Sequence, residues 1–216
     1  MMSSIFVNVG MTLDGYMAPA GMDIAHAVEP EYLGWASKWS QLQDWLFHQE
    51  YFLQRLQLGE GGETGQDNDI VRRTFERTGA AIMGKRMFEL GERMWPEEAP
   101  FHTPVFVLTH EVREPWARPG NTTFYFVNDG IESALERARE VAGERDIRIS
   151  GGANVIVQYL NSGLVDELAI DMAAVVFGAG TPLLDGLDID RIGIDIAEAI
   201  HSPLVTHLRY HVHRKN

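Results

Sequence analysis

The 216-residue chain contains no cysteine. This absence excludes disulfide bonds, thiolate-bound zinc, iron–sulfur clusters and a cysteine nucleophile. No apolar run approaches the roughly 20 residues of a membrane-spanning helix, and the first residues lack the basic segment of a signal peptide. Basic residues are few, since 18 lysines and arginines stand against 31 acidic residues and the formal net charge is −13. That charge disfavours nucleic acids and membranes as partners, and we expect a cytoplasmic enzyme or small-ligand-binding protein.

Strand and helix patterns alternate along most of the chain. Apolar and β-branched residues predict strands over 3–9, 80–83, 105–109, 123–127, 147–150, 164–177 and 205–213. Helical spacing predicts helices over 31–58, 68–78, 84–90, 131–142 and 153–161. We expect Asp67 or Asn68 as an N-cap, and a capping box formed by Asp129 and Glu132. The alternation predicts one α/β domain, with a mostly parallel central sheet flanked by helices and antiparallel strands near the C-terminus.

Two junctions between a predicted strand and a predicted helix have the features of phosphate binding. At the first, Gly84 is followed by Lys85 and Arg86; at the second, Gly151 and Gly152 follow a buried strand. The N–H groups and dipole at a helix N-terminus favour an anion, arginine can donate two bonds to phosphate, and glycine permits close backbone approach. A solvated basic pair and a tight turn are the alternative interpretations.

A third predicted strand, over 105–109, ends in the sequence Leu108, Thr109 and His110. Arg113 and Arg118 lie a few residues downstream. Ligands of open α/β sheets bind at the carboxyl ends of the strands, so we expect these three segments to surround one ligand. A cofactor with several phosphates is the simplest ligand for all three.

Six segments of the chain carry a family resemblance. They are residues 7–16 (VNVGMTLDGY), 83–89 (MGKRMFE), 105–110 (VFVLTH), 150–155 (SGGANV), 163–168 (GLVDEL) and 177–184 (FGAGTPLL). In this order they resemble the dihydrofolate reductase-like family, in its branch of RibD C-terminal, riboflavin-pathway reductase domains. The resemblance covers most of the chain and implies a single domain over 1–216, with a helical and glycine-rich insert at about 22–65. It also implies a homodimer.

The same resemblance implies NADPH bound across the strand ends. Residues 84–87 would meet the adenosine phosphates, Thr109 and His110 would flank the adenine and the 2′-phosphate, and 151–155 would hold the diphosphate and nicotinamide side. Val9 and the loop 14–17 would border the nicotinamide and the substrate. The full implied set is Val9, Gly84, Lys85, Arg86, Met87, Leu108, Thr109, His110, Gly151, Gly152, Ala153, Asn154 and Val155.

Two carboxylates are candidates for the chemistry. Asp171 interrupts an otherwise apolar strand, where burial would raise its pKa and suit it to donate a proton or to anchor a heterocyclic N–H. Asp14 precedes Gly15 near the implied nicotinamide. An outward-facing strand residue and a plain Asp-Gly turn are the alternative interpretations. Folate reductases hold the pterin with an acidic residue on an early helix, and Asp44 and Glu50 are possible counterparts.

His207, His211 and His213 recur with the two-residue period of a strand. No carboxylate accompanies them in the sequence, so we expect a solvated edge or a subunit contact and no metal. The tryptophans of the insert, Trp35, Trp39 and Trp45, either pack the insert onto the sheet or stack on a planar substrate.

The leading hypothesis is an NADPH-dependent oxidoreductase that transfers a hydride to a small nitrogen heterocycle, pterin-like or pyrimidine-like. A flavin or quinone reductase that uses the same cofactor is a second enzyme hypothesis. A non-catalytic nucleotide-binding protein on the same scaffold is the alternative from a different class.

Overall fold

A computed structural model describes residues 3–22 and 31–215, and the side chains of 31–33 lie outside this description. Parts of the predicted irregular segment 11–30 and of the insert 22–65 therefore lie outside the described residues. The strands are β1 Ile5–Thr12, β2 Tyr16–Pro19, β3 Thr78–Gly84, β4 Pro104–Leu108, β5 Trp116–Arg118, β6 Thr122–Val127, β7 Asp146–Gly151, β8 Glu167–Ala173, β9 Gly180–Pro182, β10 Ile192–His201 and β11 Val205–Arg214. The helices are α1 Glu31–Phe47, α2 Glu50–Arg55, α3 Gln66–Arg77, α4 Lys85–Glu92, α5 Ile131–Ala142 and α6 Ala153–Asn161.

Nine of these strands form one sheet in the order β10-β11-β8-β1-β7-β3-β4-β6-β5. The six strands from β8 to β6 run parallel, whereas β10, β11 and β5 are antiparallel to their neighbours. The predicted single α/β domain, with antiparallel strands near the C-terminus, is confirmed. Strands β2 and β9 form a separate antiparallel ribbon.

Helices cover both faces of the sheet. On one face α5 and α6 bury residues such as Ile156 against β1, β3 and β7. On the other face Phe88 of α4 packs between β3, β4 and β6, and Trp45 of α1 packs with Val71 of α3 and Val205 of β11. Strands such as β3 and β4 therefore carry apolar residues on both faces, which explains the nearly continuous apolar runs in their sequence. None of the helices described is both long and apolar enough to span a membrane.

The predicted helix over 31–58 is wrong as one element, because it breaks between α1 and α2. The backbone at the break pairs with the glycine-rich loop: Glu50 N donates to Glu63 O, and Glu63 N donates to His48 O. The Gln49 side chain is buried and donates to Trp45 O at 2.7 Å. The backbone bonds join Gln49 to Glu63, 14 residues away, in an isolated β-bridge. They end the helix although the apolar residues continue at helical spacing.

Two strand predictions have wrong ends. The predicted strand over 164–177 narrows to β8, because after Ala173 the chain turns to pair with the β1–β2 turn, where Leu13 N donates to Val175 O. The first strand instead continues past Gly10 to Thr12. At Gly10 a Cβ atom would lie 2.9 Å from Gln43 Nε2 of α1, so the glycine lets α1 approach the strand closely.

Both predicted side-chain caps are wrong, although the helices are present. Gly65 is the N-cap of α3 and Gly130 is the N-cap of α5, and neither position has a side-chain cap. Asp129 instead binds Arg137 at 2.8 Å. The bounds of α5 and α6 agree with the prediction. The prediction missed the edge strands β5 and β10 and the ribbon β2–β9.

Gly79, at the start of β3, gives a test of the packing between α5 and the sheet. A Cβ atom there would lie 2.5 Å from Ala142 O and 2.9 Å from Ala142 Cα. Because that obstacle is backbone, we expect Gly79→Ala to lower the free energy of unfolding by about 1–3 kcal/mol, measured by urea denaturation. Gly34→Ala is the matched control: its Cβ would meet nothing within 4 Å, and in α1 alanine should add up to about 1 kcal/mol. Equal effects at both sites would contradict this packing.

Candidate functional site

A cavity of about 1090 Å³ lies where the carboxyl ends of β3, β4, β6 and β7 face α1 and α2. Arg86, His110 and Gly152, which come from three separate junctions, all line it. The three junctions therefore converge on one groove, as the sequence predicts. The cavity extends from the strand ends to an aromatic wall formed by α1 and α2.

Most of the cofactor-binding residues implied by the resemblance line this cavity. They are Val9, Gly84, Lys85, Arg86, Met87, Leu108, Thr109, His110, Gly152, Ala153, Asn154 and Val155. Gly151 is buried behind the lining with φ +131°, and a cis peptide joins it to Gly152.

Two helix N-termini at one end of the cavity are suited to a diphosphate. Helix α4 begins after Gly84 and α6 after Gly152, and neither N-cap makes a side-chain cap bond. The first N–H groups of both helices are thus available to an anion. A Cβ atom at Gly152 would meet nothing within 4 Å, so the glycine leaves open space at the wall. These residues fit the phosphate part of a dinucleotide.

The two adjacent cations at α4 differ in their environment. Lys85 Nζ lies 2.5 Å from Glu111 Oε1 and 3.5 Å from Glu89 Oε1, and the hydrogen bond to Glu111 is the main cause of its raised pKa. Arg86 donates to Met22 O at 3.2 Å and makes no ion pair within the part of the chain that the structure describes. Arg86 is therefore the better placed of the two to bind a phosphate.

Arg113 and Arg118, noted near the third strand end, do not line the cavity as described. Arg113 binds Glu92 at 2.7 Å and lies over the ring of Phe126. Arg118 donates to the carbonyl oxygens of Pro96 and Glu97. Both arginines hold loops in place.

A row of polar side chains forms the floor at the other end of the cavity. Asp171 of β8 lies opposite Gly10 of β1, and Asn8 lies on the same face two residues earlier. Arg148 and Ser150 of β7 also line the floor. The opposite face of these strands carries the apolar core, so strand alternation separates a polar floor from a hydrophobic layer.

Asp171 is the only carboxylate among the described residues that line the cavity. It is 7% exposed. Its Oδ2 accepts a hydrogen bond from Asn8 Nδ2 at 2.9 Å, and its Oδ1 lies 2.6 Å from His207 Nδ1. The expectation of a lone carboxylate in an apolar strand is wrong in this respect, because the neighbouring strands supply two partners.

His207 corrects the prediction of a solvated histidine edge. It lies opposite Asp171 on β11 and is buried, and its Nε2 lies 3.3 Å from Asp67 Oδ1 in the first turn of α3. Burial lowers its pKa, but the hydrogen bonds and charges of Asp171 and Asp67 outweigh burial, so the pKa is raised. His211 and His213 are exposed as expected. No cluster suited to a metal ion occurs among the residues described.

Arg148 and Ser150 leave hydrogen-bonding capacity on the floor. Arg148 Nη2 donates to Asn8 Oδ1 at 3.1 Å, and burial is the main cause that lowers its pKa to about 10. Its Nε and the Ser150 Oγ are buried without a hydrogen-bond partner among the described residues. An acceptor group on a ligand would satisfy such donors.

The other acidic candidates lie elsewhere. Asp14 accepts hydrogen bonds from Thr12 Oγ1 and from the N–H groups of Phe177 and Gly178. These bonds lower the pKa of Asp14, and the bond from Thr12 is the main cause. The described lining of the cavity includes neither Asp14 nor Asp44 nor Glu50. The catalytic role of Asp14 stays a prediction, and its carboxylate joins two loops.

Aromatic side chains of α1 and α2 form the wall above the polar floor. Trp35 and Trp45 are buried, at 4% and 3% exposure, and both also line the cavity together with Trp39, Phe47 and Phe52. Trp35 and Trp45 thus pack in the fold and also face the cavity, so packing and contact with a ligand are compatible roles for the same two side chains.

Arg55 of α2 fastens this wall to the loop after α4. It donates to Pro100 O at 2.8 Å, to Phe101 O at 2.9 Å and to Tyr51 Oη at 2.9 Å. Its guanidinium also lies over the ring of Phe75, 4.6 Å from the centroid. The aromatic wall is thus joined by direct hydrogen bonds to the segment that precedes β4.

The raised pKa of His207 predicts a pH dependence of stability. The protonated form is favoured in the fold, so its contribution is present below the unfolded pKa of about 6.5 and is lost as pH rises through the folded value. We expect the difference in unfolding free energy between the wild type and His207→Gln to shrink between pH 6 and about pH 9. Urea denaturation across this range measures it, and His211→Gln is the exposed control on the same strand. A difference that grows with pH would contradict the interpretation.

Comparison with known proteins gives the family. The profile of the RibD C-terminal domain matches residues 3–207. The uncharacterised protein YyaP of Bacillus subtilis is 28% identical in an alignment of 130 residues. The match covers 57% of this chain and 64% of YyaP, which is slightly less than two thirds of its length.

Three solved structures share the fold. A protein from Shewanella sp. PV-4 assigned to riboflavin biosynthesis is 20% identical and aligns with a TM-score of 0.64 over 99% of both chains. Dihydrofolate reductase from Enterococcus faecalis, in complex with NADP(H) and RAB-propyl, is 14% identical, with a TM-score of 0.54 over 100% of this chain and 99% of the other. A Thermotoga maritima deaminase and 5-amino-6-(5-phosphoribosylamino)uracil reductase is 12% identical, with a TM-score of 0.56 over 97% of this chain and 56% of the other. With the match over residues 3–207, the chain belongs to the RibD C-terminal domain family.

Proposed function

We propose that this protein is an NADPH-dependent reductase of a small nitrogen heterocycle, pterin-like or pyrimidine-like. The observation that carries the proposal is one cavity with two uncapped helix N-termini at one end and a single described carboxylate, Asp171, on the floor. A dinucleotide and a planar substrate fit these two ends respectively. The dihydrofolate reductase complexed with NADP(H) supports the cofactor by analogy of fold.

The cofactor end is expected to hold the phosphates through backbone and side chain together. The N–H groups after Gly84 and Gly152 would bind the diphosphate oxygens. Arg86 and His110 line the same end and would bind the 2′-phosphate, since charge-assisted bonds to phosphate are strong. When bound, NADPH supplies a hydride to the substrate.

The floor supplies groups that match the edge of a nitrogen heterocycle. Asp171 accepts hydrogen bonds when ionised and thus suits a ring N–H, whereas Arg148 and Ser150 have donors for a ring carbonyl. Asp171 is also positioned to hand over the proton that accompanies hydride transfer. The aromatic wall, with Trp39 and Phe47, would cover the planar ring and exclude water.

Two further properties remain predictions: a homodimer, which the family resemblance implies, and a cytoplasmic location, which is inferred from the composition. A non-catalytic nucleotide-binding protein is the alternative, and it would bind NADPH without oxidising it in the presence of any pterin, pyrimidine or related heterocycle.

Cofactor preference provides the first test. We expect NADPH to raise the melting temperature more than NADH, and Arg86→Ala to weaken NADPH binding roughly 10- to 100-fold, because a charge-assisted hydrogen bond contributes about 1.5–3 kcal/mol. Thermal shift and calorimetric titration measure both effects. Arg139→Ala, an exposed arginine on α5 away from the cavity, is the matched control. Equal shifts with both cofactors would contradict the assignment of the phosphate end.

Turnover provides the second test, after a heterocycle screen followed at the absorbance of the reduced nicotinamide. We expect Asp171→Asn to lower kcat roughly 100- to 10,000-fold while the Kd for NADPH stays within twofold, since the carboxyl acts in proton transfer and lies apart from the phosphates. Asp195→Asn, on exposed β10, should change neither quantity. Unchanged turnover in Asp171→Asn would remove this residue from the mechanism.

A further inference from the structure

We infer that His207 is the positioning residue that stores the proton which Asp171 delivers, and that Asp67 holds the imidazole oriented for this task. The inference rests on the proposed reductase function and extends it to two residues that do not belong to the described lining of the cavity. It assigns the buried contact between β8, β11 and α3 a role in the reaction.

The three side chains form a linear chain of contacts. Asp171 Oδ1 lies 2.6 Å from His207 Nδ1, and His207 Nε2 lies 3.3 Å from Asp67 Oδ1. The side-chain exposures are 10% for Asp171, 8% for His207 and 15% for Asp67. Only the first of these three residues lines the cavity, so the imidazole is separated from a ligand by the carboxyl group that would contact it.

The charged groups around His207 favour its protonated form. Asp171 faces it from β8 and Asp67 faces it from α3, whereas α1 contributes the uncharged edge of Trp45, with ring centroids 5.0 Å apart. Strand β10 places Ile200 opposite His207. Arg148 of β7 lies beyond Asp171, where its positive charge interacts with that carboxylate. An imidazolium between two carboxylates donates at both nitrogens and cannot rotate without losing a bond.

The proposed step transfers one proton and no electrons within the protein. The substrate carbon of a C=N bond receives the hydride, and the electron pair of that bond moves to the nitrogen. The Nδ1 proton of His207 passes to the Asp171 carboxylate, which passes it to this nitrogen and forms the N–H bond. His207 is then neutral and Asp171 is ionised. After product release, a proton from solvent in the open cavity restores the imidazolium.

A purely structural role for the contact makes a different prediction. If the hydrogen bond of Asp67 only holds α3 against β11, an amide at position 67 would serve it equally well. In that case no step of turnover would follow the titration of His207. Asp67→Asn therefore separates the two roles, because it keeps a side-chain oxygen near Nε2 and removes the charge. Asp69→Asn is the matched control, since Asp69 lies in the same first turn of α3 and is exposed.

The first measurement follows the histidine signals by NMR in the protein without ligand, with His207→Gln to identify the resonance of His207. We expect His207 to titrate above the ordinary histidine pKa of about 6.5, and its pKa to fall by about one unit in Asp67→Asn and to stay unchanged in Asp69→Asn. A His207 signal that titrates at or below about pH 6.5 would overturn the inference.

The second measurement is the pH profile of kcat. We expect activity to fall at alkaline pH as His207 loses its proton, and this limb to move to lower pH by about one unit in Asp67→Asn, with the plateau at low pH retained. His207→Gln should lose the limb and lower kcat roughly 10- to 100-fold, with the Kd for NADPH unchanged. If the enzyme oxidises NADPH but Asp67→Asn does not move the alkaline limb of the pH profile, the inference is overturned, whereas the proposed reductase function is retained. No oxidation with any heterocycle would overturn both.

Discussion

The register of β8 between β1 and β11 is the constraint on which the floor of the cavity depends. It places Asp171 opposite Gly10 on one side and opposite His207 on the other. A slip by one residue would turn Asp171 into the apolar layer beneath α6 and would bring Ile170 or Met172 to the cavity. The buried charge in turn requires its partners, because an unpaired carboxylate in this position would be strongly destabilising. The register of β8 therefore determines both the burial of Asp171 and the groups that it contacts.

The two ends of the cavity use different parts of the protein. In the proposed function, phosphate recognition would rely on backbone N–H groups at the N-termini of α4 and α6, where neither N-cap makes a side-chain bond. The floor relies on individual side chains held by neighbouring strands. The early helix α1 presents the uncharged Gln43 to the cavity, and β8 presents the carboxylate of Asp171.

Local patterns predicted the parallel strands, α5, α6 and the convergence of three strand ends, because buried strands and glycine-bounded helices leave signals within a few residues. The sequence prediction of element boundaries and side-chain partners failed where contacts with distant segments determine them. The break after α1 depends on pairing with Glu63, and the end of β8 depends on the β1–β2 turn. The partnership of Asp171 with His207 joins residues 36 apart, and Asp67 lies 140 positions from His207; no spacing rule connects them. The alternating isoleucines of β10 were a usable signal that was missed.

Arg55 holds two segments of the cavity lining, α2 and the chain before β4, against each other. Its guanidinium joins α2 to the carbonyl oxygens of Pro100 and Phe101 through charge-assisted bonds, and both the helix and the loop contribute to the cavity lining. A bulky substituent that had to push these two segments apart would break both bonds and leave a partly buried cation unsatisfied. Flat molecules that slide between the wall and the floor meet no such obstacle. Under the proposed function, the Arg55 contacts would therefore favour flat ligands over thick ones, independently of any group that a ligand presents to Asp171.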